Sequence, residues 1–187
     1  MNRKEVSYIG IFVPHTDGKL GKDIPNQHVT LAFAPDEEKF RKLLQHLGEK
    51  VEVKVLGYGN DEKNEGLLVN IPENVPYFGA EQKHITLSID PESSAVKTGF
   101  IEFDSKIPED TISQLPQNMV LEGKIAVFTK DRNLVFDANE FDEIKIFDSE
   151  IADDVLGFES NNHQKLPFQE NLYLKQTEIT SPNQEER

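Results

Sequence analysis

Cysteine is absent from this 187-residue chain, which therefore has no disulfide, no thiolate nucleophile and no zinc site built on cysteine. Long apolar runs are absent as well. The opening Met1-Asn2-Arg3-Lys4-Glu5-Val6 leads into an apolar stretch that Pro14 and His15 cut short. That reads as a first strand, too short for a membrane span and unlike a signal peptide, so a cytoplasmic protein with no membrane partner is expected. Positive charge is scarce, with 20 basic against 34 acidic side chains and a net charge of −14. This balance argues against sequence-independent binding to duplex DNA. The chain contains neither H-E-x-x-H nor an Asp/His cluster at metal-ligand spacing. Gly57-x-Gly59 lacks the third glycine and the following helix of a dinucleotide-binding fingerprint.

What is present fits one domain with a sizeable core. The 36% hydrophobic content is modest and the mean hydropathy is −0.55, so part of the chain is solvated loop or tail. The negative charge is uneven. Residues 137–159 carry nine acidic side chains against Lys145 alone, a net of −8, which leaves −6 for the remainder. A run of this kind is usually a solvated surface, and a basic protein could contact it. A small nucleotide or an RNA terminus could still enter a locally basic cleft elsewhere.

The most informative feature is a repeat. His28-Val29-Thr30-Leu31 returns as His84-Ile85-Thr86-Leu87, and each copy reaches a proline seven positions after its histidine, Pro35 and Pro91. Side chains alternate between the faces of a β-strand, so His28 and Thr30 share one face while Val29, Leu31 and Phe33 share the other. His84, Thr86 and Ser88 are divided in the same way from Ile85, Leu87 and Ile89. Residues i and i+2 lie about 6.6 Å apart along a strand, close enough for an imidazole and a hydroxyl to meet one small anion. Two such strands facing each other supply two imidazoles and two hydroxyls. That set suits phosphodiester cleavage: one imidazole takes a proton from water, the other gives one to the leaving oxygen, and the hydroxyls donate to phosphate oxygens. No metal has to take part. A lone His-x-Thr on a strand is more often a surface feature, and it is the repetition that favours function.

On these residues the chain resembles the two-histidine (2H) phosphoesterases, whose hallmark is a pair of H-x-[ST] motifs followed by apolar residues. The resemblance covers about residues 5–105. It implies an α+β fold with two lobes related by a pseudo-twofold, antiparallel sheets, and a cleft between them. It further implies that His28 and His84 form the acid–base pair, that Thr30 and Thr86 hold phosphate oxygens, and that no cofactor or metal is used. Gln27 and Lys83 stand where many members have proline, and the two histidines are only 56 positions apart, which implies that one lobe is trimmed. The expected organisation is a core over residues 1–105, a β-rich extension packed on it over 106–148, and an acidic then polar tail, poorly ordered, over 149–187.

The remaining segments support this reading. Residues 6–13 have strand composition, with Tyr8, Gly10 and Phe12 on one face and Tyr8 a possible stacking residue. Residues 15–27 read as a polar loop carrying Lys19 and Lys22. Residues 36–48 read as a helix capped by Asp36 and closed by Gly48, with Phe40, Leu43, Leu44 and Leu47 as its buried stripe and His46 facing solvent. Val51, Val53 and Val55, then Leu67, Val69 and Ile71, alternate as two strands, and the polar residues 57–66 between them look too long for a tight hairpin. Tyr77, Phe78 and Lys83 are candidates for holding a base or phosphate. Residues 91–99 have no helical stripe, so any second-lobe helix is short or missing. Residues 99–104, 120–128 and 134–136 look like further strands, with 129–133 as a turn and 141–147 as a possible edge strand.

The favoured function at this level is hydrolysis of a 2′,3′-cyclic phosphate on an RNA 3′ end or a small nucleotide. The same motifs would serve a phosphodiesterase acting on cyclic di- or oligonucleotide signals or trimming RNA 3′ ends. A different class, a non-catalytic module binding RNA ends or nucleotides, would not need two titratable imidazoles. A metal hydrolase built on His28, His84 and nearby carboxylates is the least favoured.

Overall fold

A computed structural model of the chain describes residues 1–141. Most of the acidic run, the strand expected over 141–147 beyond its first residue, and the 149–187 tail lie outside the described residues. Among the described residues there are eight strands: β1 (Val6–Phe12), β2 (Lys22–Asp23), β3 (His28–Phe33), β4 (Lys50–Asn60), β5 (Asn64–Asn70), β6 (His84–Ile89), β7 (Val120–Thr129) and β8 (Leu134–Val135). Two short helices, α1 (Glu37–Leu44) and α2 (Glu109–Ile112), and a 3-10 turn over Ala95–Phe100 accompany them. Every strand pair is antiparallel, in the order β2-β6-β5-β4-β7-β1-β3 with β8 on β7. The result is an open, largely antiparallel sheet with few helices, an arrangement of the α+β kind.

Alternation decides which face of the sheet is dry. Ile9 and Ile11 of β1, Val29 and Leu31 of β3, Ile85 and Leu87 of β6, and Ile125 and Val127 of β7 all enter one core with Val51, Val53 and Val55. Helix α1 closes that face with Phe40, Leu43 and Leu44. Its N-terminus is fixed as the sequence implies, by the Asp36 carboxylate accepting from the Lys39 N–H at 2.9 Å. A second, aromatic cluster of Tyr8, Phe12, Ala126, Leu134 and Phe136 lies apart from it. From Tyr8 onwards, past the register shift after Val6, the even and odd positions of β1 thus serve two different clusters.

The segment 106–148 contributes β7, which hydrogen-bonds to β1 on one side and β4 on the other and is part of the sheet itself. Five expectations about single elements or residues change. The helix expected over 36–48 ends at Leu44, because the following turn hands the Gly48 N–H to Ile125 O and the Glu49 O to the Ile125 N–H, tying the chain to β7. His46 is half-buried against Glu49, at 2.9 Å, rather than facing open solvent. Residues 57–66 form a tight hairpin: β4 runs on to Asn60 and β5 begins at Asn64. The polar residues at its tip cap the turn, Asn60 Oδ1 accepting from Glu62 N and Asp61 Oδ1 from Asn64 N. Residues 99–104 are no strand, apart from a single bridge between Asp104 and Tyr58. Within the loop expected over 15–27, Lys22–Asp23 pairs with Ile89 and Ser88 of β6.

The sheet curls so that β3 and β6 touch although four strands separate them along the hydrogen-bonded order. Three links join the two regions. The Ile24 N–H donates to Leu87 O at 3.0 Å, the Phe78 N–H to Leu31 O at 2.7 Å, and Gln27 Nε2 to Leu87 O at 3.3 Å. Both His-x-Thr segments therefore belong to strands held side by side.

Candidate active site

The sequence repeat reappears as a structural repeat. Nδ1 of His28 lies 2.8 Å from Asn26 O, and Nδ1 of His84 lies 2.7 Å from Gln82 O, in each case the backbone carbonyl two residues upstream. A carbonyl oxygen only accepts, so each Nδ1 carries the proton and each neutral ring keeps its lone pair on Nε2. Each motif threonine also stands opposite a glycine in its ladder: Thr30 faces Gly10 and Thr86 faces Gly66. Both glycines adjoin a register shift, at Ile9/Gly10 and at Glu65/Gly66.

Each imidazole also rests against a glycine. A methyl group on Gly10 would meet the Cδ2 atom of His28 at 3.3 Å and Val29 O at 2.8 Å, and one on Gly99 would meet the Cε1 atom of His84 at 3.1 Å. The surroundings of the two rings otherwise differ. His28 is stacked on Tyr8, with ring centroids 4.5 Å apart, and tilted against Phe12 at 5.1 Å. Phe128 backs Tyr8 at 5.0 Å. His84 is covered by the 3-10 turn, which Gln82 Nε2 holds by donating to Gly99 O and Ile101 O at 2.8 and 3.1 Å.

These environments favour neutral rings. Burial is the main cause that pushes His28 down to about 4, helped by the charge of His84 and opposed by the bond to Asn26 O. Burial likewise lowers His84, against the bond to Gln82 O. Thr30 and Thr86 are both buried, and the Thr86 hydroxyl has no hydrogen-bond partner among the described residues.

Of the other expected site residues, Tyr8 lies against His28. Lys83 and Tyr77 instead pair with each other, Lys83 Nζ standing 4.7 Å from the Tyr77 ring centre, while the Tyr77 hydroxyl donates to Ala80 O. Tyr58 is packed within β4, its hydroxyl donating to Glu65 Oε2. Burial and that bond raise its pKa. Lys19 is exposed, but its Nζ lies over the Tyr58 ring and pairs with Asp110 at 3.1 Å, so it is not a freely solvated lysine.

Several residues that sequence reasoning passed over hold the site together. Gln27 is buried and makes three bonds: its Oε1 accepts from Thr16 N, and its Nε2 donates to Thr16 O and Leu87 O. Glu65 is fully buried, its carboxylate accepting from Ser88 Oγ at 2.6 Å, Lys19 N at 2.7 Å and the Tyr58 hydroxyl. The register shift beside Glu65 brings it to Ser88, on the same face of β6 as His84 and Thr86. A cleft of about 840 Å³ lies nearby, lined by Tyr58, Asn60, Phe100, Phe103 and Lys106, with Phe100 80% exposed; neither motif histidine lines it.

The fold gathers one set of candidate metal ligands among the described residues: His15, Asp17 and Asp23, all exposed. His15 Nε2 lies 2.9 Å from Asp23 and 3.4 Å from Asp17. Spacing in sequence gave no sign of this set, and it includes neither motif histidine. No family model, curated protein or solved structure matches the chain.

Proposed function

We propose that this protein is a phosphodiesterase of the two-histidine type that hydrolyses 2′,3′-cyclic phosphates on nucleotides or RNA 3′ ends, with the two halves of its sheet as the two lobes of that fold. The supporting observation is the duplicated arrangement itself. Two imidazoles on touching strands are held by the same backbone bond, which places the proton of each neutral ring on Nδ1, and each is accompanied by a threonine two residues on.

In the proposed reaction His28 Nε2, neutral because its pKa lies near 4, takes a proton from water as the water oxygen attacks phosphorus. The bond from phosphorus to one ribose oxygen breaks, and that oxygen receives a proton from Nε2–H of protonated His84. Thr30 and Thr86 donate to the non-bridging oxygens as charge builds on them. One water is consumed and a phosphomonoester with a free ribose hydroxyl is released. The anionic diester itself favours protonation of His84, against the lowering by burial. The catalytic steps need no metal.

The test is incubation of the protein with 2′,3′-cyclic nucleotides in excess chelator, with the products resolved as 2′- or 3′-monophosphates. Ring opening at an undiminished rate in chelator is expected. Absence of turnover, or turnover abolished by the chelator, overturns the reading.

A further inference from the structure

Asn26 and Gln82 occupy equivalent places, each two residues before a motif histidine and each offering its backbone carbonyl to that histidine's Nδ1. Their side chains differ in use. The carboxamide of Gln82 donates to Gly99 O and Ile101 O and so holds the 3-10 turn against His84. The carboxamide of the intervening Gln27 is likewise taken up by Thr16 and Leu87. Asn26 is only 5% exposed, yet neither its Nδ2 nor its Oδ1 has a hydrogen-bond partner among the described residues. The Thr86 hydroxyl, on the other motif strand, is also buried without one.

A buried carboxamide lacking partners is a standing cost to the fold, and a natural site that keeps one calls for an explanation. Packing does not supply it, since an apolar side chain of similar size would fill the same volume without that cost. A ligand does. An amide offers donors and an acceptor side by side, which suits a phosphoryl oxygen next to a sugar hydroxyl. The segment bearing Asn26 also runs between the two motif strands, since Ile24 and Gln27 on either side of it both bond to Leu87 O of β6.

We infer that Asn26 is a substrate-holding residue, its Nδ2 donating to a non-bridging oxygen of the bound phosphoryl group alongside the Thr86 hydroxyl, and its Oδ1 accepting from a ribose hydroxyl. This rests on the phosphodiesterase reading for its substrate, and the test is chosen so that the two can fail separately. Inorganic phosphate is titrated into the full chain while the Cε1–H signals of His28 and His84 are followed by NMR, for wild type, Asn26→Ala and Asn26→Asp, with melting temperatures measured alongside.

Asn26→Ala is expected to weaken phosphate about tenfold or more, the usual worth of a hydrogen bond to a charged group, while leaving the melting temperature unchanged or raised. Asn26→Asp should weaken phosphate further, because it sets a negative charge beside the anion. Phosphate affinity within about twofold of wild type in either folded variant overturns the inference, as does a wild type that binds no phosphate. If Asn26→Ala does not fold, Asn26→Asp decides alone. A protein that opens cyclic phosphates but holds phosphate equally well without Asn26 refutes this inference only. One that holds phosphate through Asn26 yet opens no cyclic diester refutes the catalytic reading only.

Discussion

Tyr8 lies almost flat on His28, the ring centroids 4.5 Å apart and the planes 23° from parallel. The aromatic face excludes water from an imidazole whose other neighbours include Phe12, and it is this desolvation that keeps the ring neutral. Replacing Tyr8 with alanine should therefore raise the His28 pKa from about 4 back towards 6.5, as read by NMR titration. The same change should destabilise the fold by roughly 3 kcal/mol through the lost packing. An unchanged His28 titration would mean that the stacking is incidental.

Acid stability should report the same burial. Unfolded His28 takes up a proton near pH 6.5 and folded His28 only near 4, so between those values unfolding binds a proton and acid favours the unfolded chain. The fold should lose stability as pH falls from about 6.5 towards 4, by on the order of 3 kcal/mol from His28. His84, also lowered, adds to the loss in the same direction. Urea midpoints at pH 7.5, 6, 5 and 4 measure this. His28→Gln should flatten the profile, and a variant as acid-sensitive as wild type would contradict the assignment.

The acid and base roles can be separated with a better leaving group. A p-nitrophenyl phosphodiester releases a phenolate that needs no proton. His84→Ala should then lose much less activity on this ester than on a 2′,3′-cyclic nucleotide, while His28→Ala should be impaired on both. The reverse pattern would exchange the roles.

Gln27 braces the two motif strands. Gln27→Ala leaves Thr16 N, Thr16 O and Leu87 O without its carboxamide and should cost about 2 kcal/mol in stability. It should also lower kcat more than it raises KM, because the two imidazoles lose their spacing. A variant destabilised by that amount with normal kcat would show that the brace serves folding alone.

Much of the site could be read from the sequence because it depends on local periodicity. Alternation put Val29, Leu31, Ile85 and Leu87 into the core, and the structure agrees, although Thr30, His84 and Thr86 on the alternate positions are buried as well rather than facing solvent. The N-cap by Asp36 is local too. What the sequence did not disclose depends on distant partners. The hairpin at 61–63 looked like a long loop because Gly57-Tyr58-Gly59-Asn60 has poor strand propensity; its residues become strand by pairing with 65–68. A methyl group on Gly57 or Gly59 would strike the backbone oxygens of Asp104 and Glu102 at 2.5 Å, a crossing of chain that no local pattern announces. Asn26 and Gln27 carry the same carboxamide, yet the fold brings polar partners to Gln27 and none among the described residues to Asn26, and nothing in their sequence neighbours reveals that.

The most direct measurement is turnover of a 2′,3′-cyclic nucleotide by wild type, His28→Ala, His84→Ala and the double variant, each verified as folded. Two imidazoles acting on one phosphorus predict a loss of at least about a hundredfold for either single change, with the double variant little worse than the poorer single one. Wild-type turnover in either single variant would contradict the account.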